Sequence, residues 1–154
     1  MILPDWQIRE MCEAGMVDAY DMAMVNPASL DLKLAEGWYD FDAGRVLPVG
    51  SLEPGRAVLA STVEVVTLPV HVAGQLILKS SMGRRGVSMP AAGWVDPGFS
   101  GTLTVQLSAC VPVVMEWGQP FLQMVLYRMA ANPDDGYYGR YQGQRGVTLE
   151  RGRE

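Results

Sequence analysis

Short apolar segments between glycine and proline turns run through most of this 154-residue chain, and this spacing constrains the fold more than any other feature. In residues 30–34, leucines alternate with polar residues, as a strand with one buried face requires. Further strand-like runs are 56–68, 74–79, 101–108, 111–115 and 121–128. Short strands with turns of this kind between them predict an all-β barrel or sandwich.

A short helix is predicted before the strands, over residues 4–14, because Pro4 suits a first helical turn and Gly15 is a natural stop. We find no internal repeat and no linker, so residues 1–154 are expected to form a single domain. From about residue 131 the sequence becomes polar and glycine-rich with several tyrosines. This composition predicts a flexible tail that orders over a ligand or a neighbouring subunit.

The charge balance argues against a nucleic-acid partner, since the chain has a net charge of −5 at pH 7. Its cations are concentrated locally, around residues 79–85 and in the tail, which suits a small anion better than a polymer. No run approaches the roughly 20 apolar residues that span a bilayer. The start of the chain lacks a signal-peptide pattern, and two cysteines make no disulfide framework. We therefore expect a cytoplasmic protein without a membrane partner.

Two short segments carry groups suited to a phosphorylated ligand. Residues 79–84 combine two hydroxyls, two cations and a glycine, which favours phosphate binding, although a solvated turn has the same composition. Asp96 precedes Pro97-Gly98 and could hold a sugar hydroxyl or a water, although this sequence also favours a plain turn. Cys12 and Cys110 lack the short CxxC spacing of a His-Cys-Cys zinc deaminase, so with His71 as the only histidine a zinc site of that type is excluded.

Several segments, taken in order, resemble the dCTP deaminase and dUTP diphosphatase (dUTPase-like) superfamily, and specifically its dCTP deaminase branch. The matching segments are 2–5, 26–32, 52–55, 59–64, 79–84, 93–101 and 141–146. This resemblance implies a distorted β-barrel or jelly roll that assembles as a homotrimer, with active sites between subunits. It also implies conversion of dCTP to dUTP, followed in bifunctional members by cleavage to dUMP and pyrophosphate.

The resemblance further implies roles for individual residues. The triphosphate would be bound by Lys79, Ser80, Ser81, Arg84, Tyr141, Gln144 and Arg145. The base and sugar would be met by Ala92, Trp94, Asp96 and Gln106. The catalytic set would be Ser80, Arg84, Asp96 and the residue at position 106. Magnesium would be carried by the triphosphate rather than by protein ligands, as expected of a cation that dehydrates reluctantly.

Gln106 departs from the family pattern, which has a glutamate at this position. Deamination needs a base that takes a proton from the water attacking C4 of cytosine, and losing such a base costs about 10²–10⁴-fold in rate. A carboxamide cannot accept that proton at ordinary pH. Gln106 is open to three explanations: divergence from deamination, a retained ligand-sensing role, or a change that traps substrate. It could also be an inert inward side chain bonded to the backbone.

A second departure lies between Gly86 and Asp96, where the segment is one residue short, carries Pro90 and lacks the usual histidine and threonine. Two alternative functions remain open beside the deaminase. One is a dUTP diphosphatase, in which Asp96 would orient a water for attack on the α-phosphorus. The other is a nucleotide-binding regulator without turnover.

Overall fold

The structure is a computed structural model that describes residues 1–90 and 92–151. Two α-helices are present in these ranges, α1 (Asp5–Glu13) and α2 (Ser80–Arg84), together with a short 3-10 helix (Met22–Met24). The strands are β1 (Val25–Asn26), β2 (Ser29–Lys33), β3 (Gly37–Asp40), β4 (Arg45–Pro48), β5 (Ser51–Leu52), β6 (Ala57–Ser61), β7 (Val66–Thr67), β8 (Val72–Leu78), β9 (Val87–Ser88), β10 (Trp94–Val95), β11 (Ser100–Gly101), β12 (Thr104–Ala109), β13 (Val113–Val114) and β14 (Pro120–Arg128). The protein is therefore mostly β, as predicted.

Two parts of the sequence prediction fall outside these ranges. Ala91, in the shortened segment before Asp96, and residues 152–154 of the predicted domain are not among the described residues. Of the helices that are described, none has the length and apolar character needed to cross a membrane.

Two five-stranded antiparallel sheets form the body of the protein. The first has the order β1-β2-β14-β8-β10 and the second has the order β4-β3-β6-β12-β9. Two smaller sheets have two strands each, β11–β7 and β13–β5. Within the described ranges the strand order of each sheet is linear, so the architecture is a sandwich of open sheets rather than a closed barrel.

A single hydrophobic core lies between the two large sheets. Its inward residues include Leu30, Leu32, Leu122, Met124 and Leu126 from the first sheet and Trp38, Val58, Ala60, Val105 and Leu107 from the second. The side chains alternate in and out along each strand, which explains the spacing of two in these sets. Phe121 and Leu122 are consecutive yet both buried, because the register of β14 shifts between Pro120 and Leu122.

The N-terminal helix is confirmed, with bounds one residue inside the predicted ones. Pro4 has an extended conformation just before α1, and Gly15 has a positive φ of 94° just after its end. Ile8 and Cys12, one turn apart, are the buried residues of the helix. Burial raises the pKa of the Cys12 thiol to about 11.

Two predicted strands are wrong in extent, because each one is broken where it moves from one sheet to another. The run 56–68 divides into β6 and β7, and the run 101–108 divides into β11 and β12. The breaks face each other: Thr62 N–H donates to the Leu103 carbonyl at 3.0 Å, and Leu103 N–H donates to the Thr62 hydroxyl at 3.0 Å. At this corner, Thr62 and Leu103 thus provide hydrogen-bond partners for each other's backbone N–H groups, where the strands leave the sheet.

The β3–β4 hairpin is absent from the sequence prediction. Its turn is held by Asp40, whose carboxylate accepts hydrogen bonds from the backbone of Asp42 and Ala43, each at 2.9 Å. These bonds, together with the nearby Arg56 guanidinium, lower the pKa of the Asp40 carboxyl. The hairpin brings Tyr39 to a surface that the later strands complete.

Candidate functional site

An open cleft of about 730 Å³ lies between the β3–β4 hairpin, the β10 segment and the C-terminal tail. Tyr39 and Phe41 come from the hairpin. Ala92, Trp94 and Asp96 come from the β10 segment, and Tyr137, Tyr141, Gln144 and Thr148 come from the tail. Aromatic walls with a few polar groups are typical of small-molecule sites.

Gly93 fixes the position of the β10 wall. A side chain here would overlap the Leu76 carbonyl oxygen, and the Leu76 N–H donates to the Gly93 carbonyl at 2.6 Å. The absence of a side chain therefore lets β10 pack directly against β8. Val95 then points into the core, while Trp94 and Asp96 point outward into the cleft.

The C-terminal tail packs against β11 of the same chain, beside the cleft. Gln144 is only 6% exposed, and its side-chain amide donates to the Thr102 carbonyl at 2.7 Å. Two backbone bonds, from Gly143 N–H to Ser100 at 2.7 Å and from Thr102 N–H to Gln144 at 3.0 Å, hold the tail along β11. The exposed Arg145 guanidinium donates to the Gln144 carbonyl at 2.9 Å.

The predicted phosphate-binding cluster occupies a different surface. Ser80, Ser81 and Arg84 are exposed on α2, and among the described residues none of these three, nor Lys79, lines the cleft. The cleft itself is lined by no lysine or arginine in the described ranges, and its charged groups are the carboxylates of Asp96 and Glu150. The cations of residues 79–84 and the cleft thus lie at different places on the chain.

Lys79 is engaged within its own chain. Its ammonium group donates to the carboxylate of Asp31, a side chain that is 9% exposed. The other oxygen of this carboxylate accepts from the Asn26 amide at 2.8 Å. The positive charge of Lys79 is therefore compensated by a carboxylate from the matching segment 26–32.

Gln106 lies on the outer face of β12, with its neighbours Val105 and Leu107 buried on the inner face. The interpretation of Gln106 as an inward side chain bonded to the backbone is wrong, because the residue is exposed. It pairs in register with Leu59, which pairs with Tyr39, and both of these residues line the cleft. The amide thus lies at the margin of the cleft, outside its lining.

The structure brings together five of the predicted site residues in one cleft: Ala92, Trp94, Asp96, Tyr141 and Gln144. Lining residues that sequence reasoning missed include Tyr39, Phe41, Leu59, Thr104 and Tyr137. Of these, only Thr104 had a usable signal, because it stands two residues before Gln106 and so shares its face of the strand. The others reach the cleft through long-range pairing or through the path of the tail.

Metal ligands are not clustered in the described part of the chain: no group of three or more histidine, cysteine or acidic side chains there could hold a metal ion. The buried acid Glu64 accepts a hydrogen bond from Lys33 N–H at 3.0 Å. Burial raises the pKa of its carboxyl, and Glu64 is not among the residues that line the cleft.

Comparison with known proteins finds relatives that match this chain over nearly its whole sequence. A model of a family described as dCTP deaminase-like matches residues 49–129. The chain is 40% identical to a "dCTP deaminase, dUMP-forming" of a Parafrankia species, over 98% of this chain and 90% of the relative. It is 39% identical to a protein of the same name from Streptomyces avermitilis, over 98% of this chain and 95% of the relative.

Solved structures share the fold. The 2′-deoxycytidine 5′-triphosphate deaminase of Agrobacterium tumefaciens matches with a TM-score of 0.72 at 23% identity, over 81% of this chain and 47% of that one. A dUTPase of EIAV matches with a TM-score of 0.53 at 18% identity, over 82% of this chain and 93% of that one. The sandwich is thus the fold that these two proteins share.

Proposed function

The chain belongs to the dCTP deaminase-like family, and from this we propose that it binds a pyrimidine deoxynucleoside triphosphate of the dCTP or dUTP type. The observation that carries the proposal is the convergence of separate motifs on one cleft. Asp96 and Trp94 come from the segment 93–101, and Tyr141 and Gln144 come from the tail. The aromatic walls suit a base, and the outward carboxylate of Asp96 suits a sugar hydroxyl.

The charges of the cleft indicate that one subunit holds only part of the ligand. A triphosphate is strongly anionic, whereas the described residues that line the cleft offer only the carboxylates of Asp96 and Glu150 as charged groups. The exposed hydroxyls and guanidinium of Ser80, Ser81 and Arg84 are the groups that match phosphate. We propose that α2 of one subunit supplies them to the cleft of a neighbour, in a homotrimer.

Magnesium belongs to this proposal as part of the nucleotide. A hard cation that keeps several of its waters is suited to phosphate oxygens, and it would offset part of the triphosphate charge near Asp96. The task left to the protein is then to position Arg84 and the two α2 hydroxyls around the remaining oxygens.

We propose that this chain catalyses the deamination of dCTP at a reduced rate. Deamination adds water at C4 of cytosine and expels the amino group as ammonia, so a proton must pass from the water to the leaving nitrogen. The amide of Gln106, exposed at the cleft margin, can hydrogen-bond to a base but cannot accept this proton. Deamination by this chain should therefore be about 10²–10⁴-fold slower than by a Gln106→Glu variant.

A product assay tests these statements. The protein is incubated with Mg²⁺ and either dCTP or dUTP, and the products are separated by chromatography. We expect slow release of ammonia from dCTP and a gain of at least about 10²-fold in Gln106→Glu. Gln7→Glu makes the same change of charge on α1, away from the cleft, and should give no gain. Equal rates for wild type and Gln106→Glu would refute the assigned role of position 106.

The same assay distinguishes the two alternatives. Pyrophosphate from dUTP, with no product from dCTP, would assign the chain as a dUTP diphosphatase, a reaction in which Gln106 need not act as a base. Measurable binding without any product would assign a nucleotide-binding regulator. Unchanged triphosphate affinity in Arg84→Ala would remove α2 from the phosphate site.

A further inference from the structure

Trp94 and Asp96 are joined by a hydrogen bond inside the cleft. The indole N–H of Trp94 donates to the Asp96 carboxylate oxygen Oδ1 at 3.1 Å. The two residues are two positions apart in the chain, so their side chains leave the same face, and both line the cleft. The indole N–H can only donate, and it occupies one of the two carboxylate oxygens. The other oxygen can still accept a hydrogen bond from a ligand hydroxyl.

Trp94 contacts residues of the neighbouring strands β8 and β14. Trp94 pairs in register with Gln75 of β8, and its ring packs on Tyr127 with a centroid distance of 6.1 Å and an interplanar angle of 34°. The Tyr127 hydroxyl donates to the side-chain oxygen of Gln75 at 2.7 Å. The indole therefore packs against Tyr127 of β14 on one side, while Trp94 as a whole remains 59% exposed.

Asp96, in contrast, stands at the start of an exposed turn, where its carboxylate can rotate about the side-chain bonds. The bond from the indole N–H to Oδ1 favours one of these orientations and leaves Oδ2 as a second acceptor on a residue that lines the cleft. A carboxylate oxygen held in this way is prepared to accept a hydrogen bond from a hydroxyl of the bound ligand.

We propose that Trp94 is a positioning residue that orients Asp96 to select nucleotides that carry a 3′-hydroxyl. This inference rests on the proposed function, and it goes beyond that function by naming the residue that sets the selectivity. Trp94→Phe would keep an aromatic ring on Tyr127 and remove the only N–H of the side chain. Selection for the 3′-hydroxyl should then weaken, while contacts to the rest of the ligand persist.

The test is calorimetric binding of dCTP and of 2′,3′-dideoxycytidine triphosphate, both with Mg²⁺, to the full-length protein. Wild type should bind dCTP more tightly, and Trp94→Phe should reduce this preference by about 2- to 10-fold, the worth of one hydrogen bond. Affinity for the dideoxy ligand should not change. Trp117→Phe, the same substitution at another exposed tryptophan that does not line the cleft, is the matched control and should behave as wild type.

A double variant distinguishes an effect of Trp94 through Asp96 from a direct contact between the Trp94 ring and the ligand. In an Asp96→Asn background, Trp94→Phe should have little further effect on the preference, because the two residues act through one interaction. The inference is overturned if Trp94→Phe weakens both ligands equally or leaves the preference unchanged. If wild type binds neither nucleotide, the proposed function fails, and the inference fails with it.

Discussion

Replacement of Lys79 by methionine should destabilise the fold, because it leaves the carboxylate of Asp31 buried without its cation. The two side chains are 22% and 9% exposed, so the pair is largely withdrawn from water. Removal of one partner from a buried pair costs about 3–5 kcal/mol, and the residual exposure of Lys79 places the expected loss near 3 kcal/mol. For a domain of this size, that loss lowers Tm by about 6–12 °C.

Urea unfolding followed by circular dichroism measures this loss, and a second substitution tests its cause. Asp31→Asn combined with Lys79→Met removes both charges and keeps an acceptor for the Asn26 amide, so most of the stability should return. Arg9→Met breaks an exposed pair, with side chains 37% and 39% exposed, and should cost less than about 1 kcal/mol. The reasoning is refuted if Lys79→Met costs no more than Arg9→Met, or if the double variant is as unstable as the single one.

Three further predictions concern other parts of the chain. Burial raises the pKa of the Glu64 carboxyl in the folded protein. Its favourable contribution to stability is therefore present below the carboxyl pKa of the unfolded chain and is lost as pH rises through the pKa of the folded state. Glu64→Gln should stabilise the protein against urea at pH 7 and not at pH 4. An equal gain at both pH values would contradict this. Cys110 is exposed, whereas Cys12 is buried with its pKa raised to about 11, so a thiol reagent should modify one cysteine in the native protein and two after unfolding. Gly101→Ala would bring a side chain to 2.9 Å from a carbonyl oxygen of the tail, so trypsin should cleave the tail faster than in Gly50→Ala, whose added carbon meets nothing within 4 Å.

Much of the fold was predictable because its signals are local. The start and end of α1 follow from Pro4 and Gly15, and the alternation of leucines in residues 30–34 predicts β2. The breaks within residues 56–68 and 101–108 were not predictable, because they depend on hydrogen bonds between positions 41 residues apart in sequence. A continuous strand-like pattern gives no sign of the point at which a chain changes sheets.

The candidate site was predictable in its composition and less so in its geometry. The resemblance placed Asp96 and Gln144 in one site, and the two residues line the same cleft, although their roles stay a prediction. The pairing of Lys79 with Asp31 was missed, although both lie in matching segments, because proximity across 48 residues is set by the register of β2, β14 and β8. The exposed position of Gln106 could have been derived from its buried neighbours, whereas the β3–β4 hairpin in the same sheet could not.

The corner at Thr62 and Leu103 limits how the protein can move. Two adjacent strands leave the second large sheet at the same point and continue in the small β11–β7 sheet, so moving these two sheets against each other would break the hydrogen bonds between Thr62 and Leu103. The corner therefore opposes a shear motion between these two sheets. The tail, in contrast, is held along the residues from Gly98 to Thr102 by a few hydrogen bonds, which can break without disturbing the core.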